Sequence, residues 1–75
     1  MIGKDKYKDW TKYHIIVWEN KWRFFREGMK RSIMTHSDRN AVIKAALYRV
    51  CQHGGLLVVH YKDGTVDFKV DNWCG

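Results

Sequence analysis

Leu56-Leu57-Val58-Val59-His60-Tyr61-Lys62-Asp63-Gly64-Thr65-Val66-Asp67-Phe68-Lys69-Val70 is the stretch from which the fold is read. Asp-Gly between two runs rich in β-branched and aromatic residues is a strong signal for a two-residue type I′ hairpin. With Asp63-Gly64 as the loop, Lys62 faces Thr65, Tyr61 faces Val66, His60 faces Asp67, Val59 faces Phe68 and Leu57 faces Val70. One side of the hairpin is then Leu57, Val59, Tyr61, Val66, Phe68 and Val70, which needs a cover. His60, Lys62, Thr65, Asp67 and Lys69 make the opposite side polar, as on the solvated face of an antiparallel sheet.

The cover lies immediately upstream. Ser37 and Asp38 form a helix-start signal, with Ser37 the expected N-cap and Asp38 set against the positive end of the helix dipole. From Asp38 to His53 there is no Gly or Pro, and at 100° per residue Val42, Ile43, Ala46, Leu47, Val50 and Cys51 fall on one half of the helix. Gly54-Gly55 ends it, because glycine adopts the left-handed conformation at a helix C-terminus readily.

Further upstream, Tyr13-His14-Ile15-Ile16-Val17-Trp18 and Trp22-Arg23-Phe24-Phe25-Arg26-Glu27 flank Glu19-Asn20-Lys21, a second hairpin. Asn20 is the residue expected at positive φ. A loop of two residues and one of three are both compatible with the sequence, and they place different side chains on each face. A short third strand, about Arg31 to Met34, extends this meander. The expected fold class is therefore α+β: an antiparallel ββ(β)αββ sheet with one helix packed on one face, in two layers. Residues 13–72 form the domain, residues 1–12 a basic arm and residues 73–75 a tail.

These segments resemble DUF2188, a family of short bacterial and phage proteins of unknown function. The resemblance is carried by Tyr13-His14-Ile15-Ile16, by Trp22 followed by Arg26-Glu27-Gly28, by Ala41-Val42-Ile43-Lys44-Ala45, and by Leu57-Val58-Val59-His60-Tyr61-Lys62-Asp63-Gly64-Thr65. It covers about residues 13–72 and implies the same fold. The longer stretch between Gly28 and the helix and the aromatic-rich first hairpin depart from the family pattern, and no activity comes with the resemblance.

Composition narrows the function. The 75 residues carry 14 Lys+Arg against 8 Asp+Glu, with 45% hydrophobic and 15% aromatic residues, which excludes a disordered or low-complexity chain. No apolar run approaches the roughly 20 residues of a transmembrane helix, and Met1 to Lys6 has no apolar segment behind its charges, so no secretory signal is expected. The chain is read as starting at its own Met1 and as cytoplasmic. Cys51 and Cys74 lack a Cys-x-x-Cys or paired-histidine context, so no structural metal is expected and both are read as thiols.

Enzymatic constellations are missing from the sequence. His14, His36, His53 and His60 lie on separate segments, none in a nucleophile motif, and Gly54-Gly55 follows a helix where a phosphate-binding loop precedes one. A His60–Asp67 pair could orient an imidazole for general-base work, but a polar cross-strand contact explains the same two residues. A non-enzyme with no cofactor and no small-molecule substrate is the expectation.

The charge is concentrated: residues 1–31 contain nine Lys/Arg and four Asp/Glu, residues 32–75 five and four. Aromatic residues interleaved with cations suit nucleic acid, where bases stack and phosphates pair with Lys and Arg. The expected binding residues are Lys8, Lys12, Trp18, Lys21, Trp22, Arg23, Phe25, Arg26, Lys30 and Arg31, in the arm and the first hairpin. DNA and RNA are not distinguished. The alternative is a protein-binding surface, as a homodimer or as an inhibitor of a host protein encoded by a phage, because exposed aromatics with Arg also make protein interfaces.

Overall fold

A computed structural model describes residues 11–71 and 74. Strands β1 (Lys12–Trp18), β2 (Lys21–Arg26) and β3 (Ser32–His36) precede helix α1 (Arg39–His53), and β4 (Leu56–His60) and β5 (Val66–Val70) follow it. They form one five-stranded sheet in the order β3-β2-β1-β4-β5 with the helix on one side, an α+β fold in two layers. The pairings are antiparallel except β1 with β4. That central pair is parallel, so the sheet is mixed, which corrects the expectation of a wholly antiparallel one: α1 returns the chain across the sheet, and β4 runs beside β1 in the same direction.

The first hairpin closes with two residues. Trp18 pairs with Lys21, and Glu19 and Asn20 have φ of 53° and 66°, both in the left-handed region that a type I′ turn requires. Val17–Trp22, Ile15–Phe24 and Tyr13–Arg26 thus share the helix side, while Trp18–Lys21, Ile16–Arg23 and His14–Phe25 share the other. Tyr13, Ile15, Trp22 and Phe24 are all buried. β3 begins one residue later than the sequence suggests and is bulged: Phe24 pairs with Met34 but Phe25 with Ser32, which leaves Ile33 as the extra residue.

Helix α1 is capped by Asp38, one residue after the expected Ser37. Asp38 has an extended backbone (φ −97°, ψ 117°), and its Oδ1 accepts from the Asn40 N–H at 3.2 Å. Val42, Ala46 and Val50, four residues apart, are fully buried against Ile15, Phe24, Leu57 and Val59. Gly54, at φ 78°, donates its N–H to the Val50 carbonyl at 2.8 Å. Gly55 is required by close approach, because a Cβ there would lie 2.8 Å from the Thr11 carbonyl oxygen and 2.9 Å from the Tyr13 ring.

The second hairpin differs from its sequence reading. The Tyr61 N–H donates to Thr65 O at 2.8 Å and the Gly64 N–H to Tyr61 O at 3.0 Å, so Lys62, Asp63 and Gly64 form the loop. Gly64 has φ 93°, but neither Lys62 nor Asp63 has positive φ, which excludes a type I′ turn. The cause is local: Asp63 Oδ1 accepts from both the N–H (2.9 Å) and the hydroxyl (2.7 Å) of Thr65, an alternative to the tight turn. Leu57–Val70 and Val59–Phe68 pair as read from the sequence, but His60 pairs with Val66, leaving Asp67 as a bulge. Val66 therefore moves to the His60 side.

The six apolar residues expected to meet the helix do not all do so. α1 lies over β2, β3 and β4, so Leu57 and Val59 are buried, Val70 is half-buried, and Tyr61, Val66 and Phe68 remain exposed at the β5 edge.

Cys51 and Cys74 form a disulfide, correcting the expectation of two thiols. The β4–β5 register brings Val70 opposite Leu57, close to the end of α1, and the Cys74 N–H donates to the Cys51 carbonyl at 2.9 Å. The returning chain thus delivers Cys74 to the last turn of the helix.

Candidate nucleic-acid interface

The two-residue turn determines which side chains share a face. On the side away from α1, Trp18 sits at the end of β1, 58% exposed, beside Lys21 and Arg23 of β2. Lys30 enters from the loop before β3, and Ser32 and Thr35 from β3 itself. Together with Glu19 they line an open cleft of about 440 Å³. Three cations and one carboxylate give it a positive balance.

Arg23 is the organising side chain. Its Nε donates to the Ser32 hydroxyl and its Nη2 to the Lys30 carbonyl, and its guanidinium lies 5.1 Å from the centre of the Phe25 ring. A guanidinium has five N–H donors, so donors remain for an anion in the cleft while the others hold β2 to the start of β3. Phe25 is half-buried, with Arg23 over its ring and His14 stacked 5.6 Å away. Its role in this arrangement is to support Arg23, whereas Trp18 offers the accessible ring.

Trp18, Lys21, Arg23 and Lys30 of the sequence-derived set are therefore gathered at one place. Trp22 is not: it is only 9% exposed, on the helix side opposite Val17, because the turn has two residues. It belongs to the core, which corrects its assignment to a binding surface. Arg26 lies opposite Tyr13, also on the helix side. With Arg31 and Arg49 it lines a second cleft of about 270 Å³, shared with Tyr13, Met29, Ser32 and Ile33. Arg49 was missed in the sequence because it reads as an ordinary polar position of the helix, and only the tertiary fold carries it to the sheet edge. Lys12 is exposed at the start of β1, and Lys8 lies outside the described residues.

His60 does not pair with Asp67. The bulge turns Asp67 to the helix side, where Arg39 Nη2 donates to its carboxylate at 2.5 Å. That bond and a second from the Tyr61 hydroxyl hold the Asp67 pKa below its ordinary value, and the Asp67 carboxylate in turn raises that of Tyr61. Arg39 also lies 5.3 Å from the Trp22 ring, so it serves packing at the helix start.

His60 instead joins a chain of side chains on the other face. Its Nδ1 donates to the Gly64 carbonyl at 3.0 Å, and His14 Nε2 donates to Glu27 Oε1 at 2.7 Å. The two inner nitrogens, His14 Nδ1 and His60 Nε2, face each other at 3.0 Å. With both outer nitrogens donating, the inner contact is a hydrogen bond only when one proton lies between the rings. A metal held head-on between them would need about 4 Å, from two bonds of about 2 Å each. Among the described residues no group of three or more His, Cys, Asp or Glu is placed to hold a metal ion. The His14 bond, with the nearby Lys12 charge, lowers the Glu27 pKa.

No protein-family model, curated protein or solved structure matches this chain. Among the described residues no helix is long and apolar enough to cross a membrane.

Proposed function

We propose that this protein is a small non-enzymatic module that binds nucleic acid through the cleft of Trp18, Lys21, Arg23 and Lys30. The observation that carries this reading is their convergence from two strands and a loop on one exposed face, with Glu19 the single carboxylate among the lining residues. A base stacks on Trp18 while phosphate oxygens take the free donors of Arg23 and the ammonium groups of Lys21 and Lys30. Lys12, at the far end of β1 beside Glu27, lies outside this cleft. Kinship with DUF2188 over residues 13–72 remains part of this proposal and adds no activity to it.

Fluorescence anisotropy of a labelled oligonucleotide, measured at 50 and 200 mM salt, tests it. Binding should weaken steeply with salt, and Lys21→Ala with Lys30→Ala should lower both the affinity and the salt slope. No binding at tens of micromolar protein in 50 mM salt would reject the reading.

A second reading has its own observation. Tyr61 and Phe68 are exposed on the helix side of β5 and its turn, and β5 is an unpaired sheet edge, as expected of a surface that associates with another protein or with a second copy. A phage-encoded inhibitor of a host protein is one form of it. Light scattering that shows a dimer, converted to a monomer by Phe68→Ser, would favour this reading.

A further inference from the structure

The two basic clefts are neighbours on opposite sides of one edge strand. Lys21, Arg23 and Lys30 line the cleft on the face away from α1, and Arg26, Arg31 and Arg49 line the cleft on the helix side. Ser32 borders both, and Lys30 and Arg31, adjacent in sequence, line different clefts. The positive surface is therefore one band that crosses the β3 edge of the sheet.

Arg26, Arg31 and Arg49 have no carboxylate among their neighbours in the cleft, and the ion pairs of the described residues, His14–Glu27 and Arg39–Asp67, leave them out. Three guanidinium groups around a cleft of about 270 Å³ repel one another unless an anion enters. Guanidinium groups match phosphate oxygens in pairs. The floor is not polar: Met29 and Ile33 are exposed beside the arginines and offer an apolar surface for a sugar or a base.

We infer that the ligand is single-stranded nucleic acid, whose backbone passes from the Trp18 cleft over the β3 edge into the Arg26–Arg31–Arg49 cleft. The inference rests on the nucleic-acid reading above and adds the strandedness and the path. A duplex has a persistence length of about 150 base pairs and bends sharply only at a cost on the order of several kcal/mol, so an unbent duplex would meet only one of the two clefts. A single strand bends at every nucleotide, presents unpaired bases to Trp18, and can place phosphates on both sides.

The test compares a labelled 12-nucleotide single strand with a hairpin duplex of the same sequence, bound to the full chain, to Arg49→Ala and to Lys21→Ala. Arg49 is exposed on α1, and an unchanged melting temperature confirms that Arg49→Ala folds. The single strand should bind at least about tenfold tighter than the duplex. Arg49→Ala should weaken it about fivefold and reduce the salt slope by about 0.7, the value for one phosphate contact with a single strand. If Lys21→Ala weakens single-strand binding and Arg49→Ala does not, the path over the edge is wrong and the open-face reading survives. Tighter binding of the duplex also overturns the inference. No binding of either oligonucleotide at low salt overturns both, as does competition by polyglutamate at equal charge concentration that matches the unlabelled single strand.

Discussion

The two hairpins of this protein begin from similar sequence signals and end differently. Glu19-Asn20 joins β1 to β2 as a two-residue turn, and every pair from Trp18–Lys21 to Tyr13–Arg26 stays in register. Asp63-Gly64, the stronger turn signal, gives a wider loop and a bulge at Asp67, because the Asp63 side chain bonds to Thr65 instead of leaving the backbone to close tightly. A turn motif thus specifies where the chain reverses more firmly than it specifies register, since a side chain that can bond its own backbone competes for the same groups. Register then decides exposure in the first hairpin, which buries Trp22 and Phe24 and gathers cations on its far face; in the second the bulge turns Val66 to the other face, and Phe68 and Tyr61 stay uncovered because α1 lies over β2, β3 and β4.

The largest test of this contrast is a pair of truncations. Phe24 is 1% exposed and Phe68 is 36% exposed. Phe24→Ala should cost about 3–5 kcal/mol, enough to unfold much of a domain this small, whereas Phe68→Ala should cost about 1 kcal/mol or less. Urea titrations of both variants measure the difference, and equal losses would show that α1 covers both hairpins alike.

Next is the cystine. The bridge spans a sequence separation of 23 residues and ties the chain beyond β5 to α1. On the loop-entropy account it contributes about 3 kcal/mol, so dithiothreitol should lower the melting temperature by roughly 10–20 °C and should not affect a Cys51→Ser, Cys74→Ser double variant. Unchanged melting under reduction would mean that the bridge does not form in solution.

The smallest effect is with pH. Glu27 on the first hairpin and Asp63 and Asp67 on the second are held below their ordinary values of 4.5 and 3.8, chiefly by bonds from His14, Thr65 and Arg39 respectively. A depressed carboxylate stabilises the fold above its unfolded value, and that contribution is lost as pH falls through the folded value. Stability should therefore be level in these groups from pH 7 to about 5 and decline below about pH 4. Glu27 and Asp63 are exposed and Asp67 is half-buried at the surface, so each contributes little. Glu27→Gln should flatten the decline slightly, which thermal melts between pH 3 and 7 would record.

Much of this architecture is legible in the residues themselves. The α1 face of Val42, Ala46 and Val50 follows from helical spacing, the stop at Gly54 from its backbone freedom, and the concentration of cations and aromatics in and around the first hairpin from the residues themselves, though not which of them share a face. What could not be read depends on long-range geometry. Whether Trp22 is core or surface turns on a single residue of loop length. The parallel β1–β4 pair, the approach of Arg49 to Arg26 and the Cys51–Cys74 bridge each depend on where distant segments meet. Asp67 shows the same limit, since one bulged residue exchanges its partner from His60 to Arg39.

The central claim, that the basic first hairpin is the working face and the second hairpin mainly scaffold, is tested most directly by following backbone amide NMR signals while a single-stranded oligonucleotide is added. The account predicts that signals from Trp18, Lys21, Arg23 and Lys30 move first and saturate together, with those of Val66 to Val70 unmoved. Shifts confined to Tyr61 and β5, or none at millimolar oligonucleotide, would contradict it.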